Sequence, residues 1–310
     1  MKIEVQTCSY SGDFDICSAL CETMDRFAPS DMRHLLLVPA AETAMFSVFA
    51  KPGREIRAQQ DFLPSWLHRL PLPKGTWRRA LMLPRRDIFV SLRCPPVRGW
   101  IAQQIIKIAA AHDTDADIVV HIDSDSAFVR PFATALFHTD GKVRCFRDPD
   151  APQPSSHVPW HEAASTLFGL PPATYHGADY IDGLVPWRVG TVRSMTDRIE
   201  AVTGRDWRVA LARTSHFSEY ILYGVFSEKV GEASAATAGR LDFTSTPLSH
   251  SLWTGSLADE KDRERFIAEL QPDHISCLIQ STLDVPGAVR DNVISALIAR
   301  AAEQDALSLA

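Results

Sequence analysis

The sequence predicts an α/β fold built on a mixed, mainly parallel sheet with helices on both faces. Three observations carry that expectation. The first part of the chain alternates strand-like and helix-like segments in the order strand, helix, strand, helix, strand. Ile118 to Ile122 is almost continuously apolar, the pattern of a strand covered on both sides. That strand runs into Asp-Ser-Asp, and doubly wound sheets bind ligands at the carboxyl ends of their strands.

Taken in order, Ile3 to Thr7 alternates as a strand, and Asp13 is placed to cap a helix carrying Ile16, Cys17, Leu20, Met24 and Phe27 at helical spacing. Met32 to Ala40 reads as a second strand stopped by Pro39, and Glu42 to Phe49 as a short helix. Residues 63–97 hold too many prolines for a long element and read as a surface excursion. Gly99 to His112 carries Ile101, Ile105 and Ile108 as a buried helical stripe ahead of the apolar strand. The second half is less regular. Val143 to Asp148 and His274 to Ser281 suit strands, whereas 159–171, Met195 to Thr203, Ser218 to Val225 and Gly287 to Gln304 suit helices. The chain is expected to form a single domain, 1–310, with a nucleotide-binding half (1–135) and an acceptor-side half (136–310).

Hydrophobic residues make up 45% and charged residues 23% of the 310 positions, an ordinary globular composition. The net charge of -6 argues against nucleic acid as the partner. Arg69, Lys74, Arg78, Arg79, Arg85 and Arg86 cluster locally and read as a solvated loop. The N-terminus lacks the apolar core of a signal peptide, and no run reaches the roughly 18 apolar residues of a transmembrane helix. Six cysteines lie scattered without a C-x-x-C pair, which points to core thiols and a reducing, cytoplasmic compartment.

On an extended strand end, residues i and i+2 face one side, so Asp123 and Asp125 are expected to converge while Ser124 turns away. Two close carboxylates repel, and a divalent cation relieves the repulsion. Mg²⁺ or Mn²⁺ suits oxygen ligands completed by substrate phosphates. An EF-hand is excluded, because Ala127 and Phe128 occupy its fifth and sixth positions. A strand followed by Asp-x-Asp also fits the nucleophile of haloacid-dehalogenase-like phosphatases, but no downstream acidic pair accompanies it. A turn in which the two acids cap local N–H groups remains the bland alternative.

The segment "HIDSDSAFVRPF" resembles the D-x-D region of GT-A glycosyltransferases. Together with "TCSYSGDFDIC", "GWIAQQIIK" and "FSEYILYGVF", in this order, it resembles a bacterial GT-A-like group of unassigned function. The resemblance implies that Asp123 and Asp125 hold a metal on the diphosphate of a nucleotide-sugar, a UDP-sugar, with Ser124 between them in the donor site. It implies that Ser9 and Tyr10 meet the base, with Tyr10 able to stack. Gln103, Gln104 and Lys107 stand three and four residues apart on the preceding helix, and a Lys there would compensate diphosphate charge.

A third metal ligand in such enzymes often comes from a late loop; His250 in "STPLSHSLW" is favoured over His274, and an imidazole would tilt the metal towards Mn²⁺. Glu219 is the first candidate for the acid that meets the acceptor hydroxyl, and Asp182 the second. Trp160, Trp187 and Trp253 are candidate sugar-stacking faces, with core burial expected for two of them. The expected activity is transfer of a sugar to a glycan or small-molecule hydroxyl. The rivals are a phosphatase using Asp123 and a nucleotide-sugar-binding protein without catalysis.

Overall fold

The computed structural model describes residues 1–71, 87–231 and 237–308. In chain order the strands are β1 (Ile3–Cys8), β2 (Arg33–Val38), β3 (Arg54–Ala58), β4 (His68–Arg69), β5 (Ile88–Val90), β6 (Val97–Arg98) and β7 (Ile118–Ile122). They continue as β8 (Ser126–Phe128), β9 (His138–Thr139), β10 (Lys142–Phe146), β11 (Leu184–Arg188), β12 (Leu241–Thr244), β13 (Ser249–Leu252) and β14 (Ser276–Ile279). The helices are α1 (Phe14–Phe27), α2 (Thr43–Phe46), α3 (Gly99–Asp113), α4 (Val158–Phe168) and α5 (Val189–Thr203). The last four are α6 (Trp207–Ala212), α7 (Glu219–Lys229), α8 (Glu260–Ala268) and α9 (Gly287–Ser308).

The central sheet has the order β11-β7-β1-β2-β3. β3, β2, β1 and β7 run parallel, and β11 joins β7 antiparallel. This is the mixed α/β, GT-A-like architecture expected from the sequence. From β1 the chain moves outward to β2 and β3, then returns to the other side of β1 as β7. The strand order therefore reverses between β1 and β7, and the crevice above their carboxyl ends is where such sheets bind ligands. Register places Gln6 opposite His121, so both strands end at the same level, one at Ser9–Tyr10 and the other at Asp123.

All five residues of β7 are buried, His121 included, as the nearly continuous apolar pattern predicts. α1 buries Cys17 and Cys21 against Leu36, Val38 and Phe46, so these thiols are core residues as their spacing indicates. Pro186 hides β11 from a sequence reading, yet β11 is an edge strand, where a missing N–H costs least. α5 begins at Val189, six residues ahead of the expected Met195, because Gly190 in its first turn weakens the local signal. The 63–97 excursion contains β4, β5 and β6, a small antiparallel sheet. Lys74, Arg78, Arg79, Arg85 and Arg86 lie outside the described residues, while Arg69 pairs with Asp87 at 2.7 Å. Among the described residues no helix is long and apolar enough to cross a membrane.

Candidate functional site

β7 stops at Ile122, and the next four residues form a turn in which the Ser126 N–H donates to the Asp123 carbonyl at 3.1 Å. The extended i, i+2 geometry expected for Asp123 and Asp125 is thereby corrected. The two acids lie on a turn, and each side chain has its own partner. Asp123 Oδ1 accepts from Lys107 Nζ at 2.8 Å. Asp125 Oδ2 accepts from the Ser281 N–H at 2.7 Å, while its Oδ1 is buried without a partner. Burial, followed by the charge of Asp123, pushes the Asp125 carboxyl up to about 6. The two carboxylates thus share one electrostatic environment, and one buried oxygen is left over.

Lys107 is the centre of the cluster. Besides Asp123, its ammonium meets Glu219 Oε1 at 3.0 Å and Tyr220 Oη at 3.1 Å. Burial works against its charge, but Asp123, Tyr220 and Glu219 outweigh burial and hold its pKa well above the ordinary lysine value. Gln104 joins the same corner, its Oε1 accepting from the Glu219 N–H at 2.6 Å. Gln103, one residue earlier, is only half-buried.

Asp13 does not cap α1 with its side chain, which corrects the sequence reading. Its carboxylate instead accepts from Ser124 Oγ at 3.4 Å and from the Tyr10 hydroxyl, and burial raises its pKa. Ser124 is therefore buried against the β1 loop rather than turned away from it. The Tyr10 ring lies against Gly12, where a Cβ would overlap it, and remains 52% exposed. Ser9 is buried, with its N–H bonded to the Leu37 carbonyl at 2.9 Å and its hydroxyl unpartnered.

The remaining candidates have partners of their own. Asp182 is buried and its two oxygens accept from the N–H groups of Gly183 at 2.7 Å and Leu248 at 2.9 Å. Burial still drives its pKa up to about 7. His250 Nε2 is 2.6 Å from the Phe266 carbonyl, and its ring stacks on Phe266 and His274. His274 Nδ1 accepts from the Gln271 N–H at 3.0 Å. Neither imidazole joins the acids: among the described residues no three His, Cys, Asp or Glu side chains gather in a metal-holding group. Trp187 is fully buried, Trp160 is half-buried and Trp253 is 39% exposed, so only one of the three is a core residue.

Sequence reasoning missed Tyr220 and Arg290. Arg290 is buried on α9, donates to the Ile279 carbonyl at 2.5 Å and faces Asp125 and Asp13. Its signal, an arginine on the apolar side of the last helix, says nothing about a target more than 160 residues earlier.

A family model described as "Family of unknown function (DUF6492)" matches residues 1–301. No curated protein matches the sequence. Among solved structures, the bifunctional glycosyltransferase WbbM is similar with a TM-score of 0.50 and 12% identity over 95% of this chain. The match spans 50% of WbbM. LgtC, a galactosyltransferase solved with donor and acceptor sugar analogues, gives 0.45 and 13% over 95% of this chain and 96% of its own. Mouse xyloside xylosyltransferase 1 gives 0.46 and 10% over 92% and 100%. At this identity the likeness to WbbM establishes the fold alone.

Proposed function

The chain belongs to this family of unknown function, and we propose that it is a metal-dependent glycosyltransferase acting on a nucleotide-diphosphate sugar, a UDP-sugar, and an acceptor hydroxyl. The observation that carries the reading is the Asp123–Asp125 turn at the β1/β7 reversal, with Asp125 Oδ1 buried and unpartnered beside a second carboxylate. An oxygen in that state fits a divalent cation, because a buried acceptor without a donor is costly. With two carboxylates and no imidazole committed to it, the site suits a cation that completes its shell with phosphate oxygens and water, as Mg²⁺ or Mn²⁺ does. When bound, the cation neutralises charge growing on the departing diphosphate.

The chain's own residues take the other roles. Tyr10 offers an exposed ring, fixed against Gly12 and Asp13, for the base. Lys107 keeps a positive charge under the acid turn and holds Asp123 in place. Ser124, tied to Asp13, links the base loop to that turn, and Gln104 fixes the start of α7. Glu219, whose Oε1 is held by Lys107, is assigned to receive the acceptor hydroxyl through its second oxygen. Asp182, with both oxygens taken by backbone N–H groups, is the weaker candidate. In this reading residues 1–135 carry the nucleotide site and 136–310 most of the acceptor side, for a glycan or small molecule. Six free, buried cysteines support a reducing, cytoplasmic setting. The phosphatase and binding-only readings have no observation of their own in the site.

The test is release of UDP from a panel of UDP-sugars with Mg²⁺ or Mn²⁺. The expected result is release by the wild type that stops on chelation and in Asp123→Asn. No release from any UDP-sugar with either metal would contradict the reading.

A further inference from the structure

Trp100, Trp160 and His157 form an aromatic ladder that the proposed chemistry does not use. His157 stacks on Trp160 with centroids 4.2 Å apart and planes 26° apart, and Trp160 lies 5.6 Å and 32° from Trp100. All three rings are half-buried. Neither indole N–H has a partner among the described residues, and neither is sealed in the core as that of Trp187 is. At the His157 end, Asp179 Oδ2 lies 3.6 Å from Nδ1. Its Oδ1 accepts from the Tyr180 and Ile181 N–H groups at 2.7 and 3.1 Å, leaving Oδ2 with acceptor capacity.

The ladder is placed by α3. Trp100, Gln104 and Lys107 are i, i+4 and i+7, one stripe of that helix. The rise of an α-helix sets Trp100 about 10 Å along the axis from Lys107, whose ammonium touches both Asp123 and Glu219. The rings therefore stand toward the N-terminal end of α3, beyond the point where Gln104 joins that helix to Glu219.

The outer faces of this stack, its free N–H donors and a carboxylate with spare capacity match a pyranose. Its C–H face packs on an aromatic surface while its hydroxyls bond to the N–H groups and the carboxylate. The Asp179 charge disfavours an acceptor that carries phosphate there. We propose that Trp100, Trp160, His157 and Asp179 are the acceptor platform, which binds a pyranose ring of a saccharide by its apolar face. This rests on the glycosyltransferase reading and narrows the acceptor to an uncharged sugar.

The test is saturation-transfer NMR on the full chain with methyl β-D-galactopyranoside, methyl β-D-glucopyranoside and methyl β-D-xylopyranoside, run beside the donor-release assay. At least one probe should receive saturation mainly on the C–H groups of one ring face. His157→Ala and Asp179→Asn should each weaken that binding about tenfold, with UDP release to water unchanged. Trp160→Phe, which keeps a ring, should retain part of it. Saturation of no probe by the wild type, or binding equal in wild type and His157→Ala, would overturn the platform. Binding that follows this pattern in a protein releasing no UDP would sink the glycosyltransferase reading and leave the sugar site standing.

Discussion

Lys107 Nζ stands 2.8 Å from Asp123 Oδ1, and this contact joins the helix before the acid turn to the turn itself. Because the same ammonium reaches Glu219 on α7, one buried cation fastens the two halves of the site together.

Lys107→Met is expected to strand Glu219 as a buried, unpaired carboxylate and to leave Asp123 without its partner. Removing one member of a buried pair costs about 3 kcal/mol. Urea unfolding should show a loss of that size, and UDP release should fall at least a hundredfold. Unchanged stability would mean that the pair does not hold the halves together.

Gly224→Ala is expected to destabilise the protein through α7. A Cβ at 224 would overlap the Tyr180 ring, which is buried with its hydroxyl on Glu228 Oε2 at 2.7 Å. Overpacking of this kind costs about 1–3 kcal/mol, against the gain that alanine ordinarily brings to a helix. A melting temperature at or above that of the wild type would contradict this packing.

Asp182 gives a pH dependence with a defined sign. Its folded-state carboxyl is raised to about 7, above the unfolded value of about 3.9. The folded state therefore binds the proton more tightly, so stability is highest below pH ~4 and falls as pH rises to ~7. The wild type should lose on the order of 4 kcal/mol across that window from this group. Asp182→Asn should remove that slope while lowering the baseline, since its amide N–H₂ would face a backbone N–H. Equal slopes in wild type and variant, by chemical denaturation at several pH values, would refute the assignment.

His250→Ala separates two roles for this imidazole. Its ring is engaged by the Phe266 carbonyl and the Phe266 face, so the variant should lose about 2 kcal/mol of stability. Metal-dependent UDP affinity should stay within about twofold. A tenfold loss of that affinity would return His250 to the metal.

The sheet was legible because β7 and β1 are written as buried strands and the acids follow β7 directly. Ser9, Tyr10 and Asp123 follow the ends of strands with a clear pattern, and Lys107 lies midway along the helix whose isoleucine stripe announces it. The third dimension of the site was not legible. Asp13 looked like a cap because a capping position and a loop carboxylate have the same local sequence, and only its contact with Ser124 distinguishes them. His250 looked available among turn-formers, but α8, which occupies its Nε2, carries few apolar residues to announce it. β11 was not legible at all, since Pro186 interrupts its segment and a sequence does not say which strand is at the edge.

Calorimetric titration of UDP, with and without Mg²⁺ or Mn²⁺, into wild type and Asp125→Asn tests the central claim most directly. The account predicts that the wild type binds UDP only with the cation. It also predicts that Asp125→Asn, melting normally with its Ser281 N–H bond kept, binds at least tenfold more weakly. Wild-type binding that ignores the cation, or a variant that binds UDP as the wild type does, would contradict it.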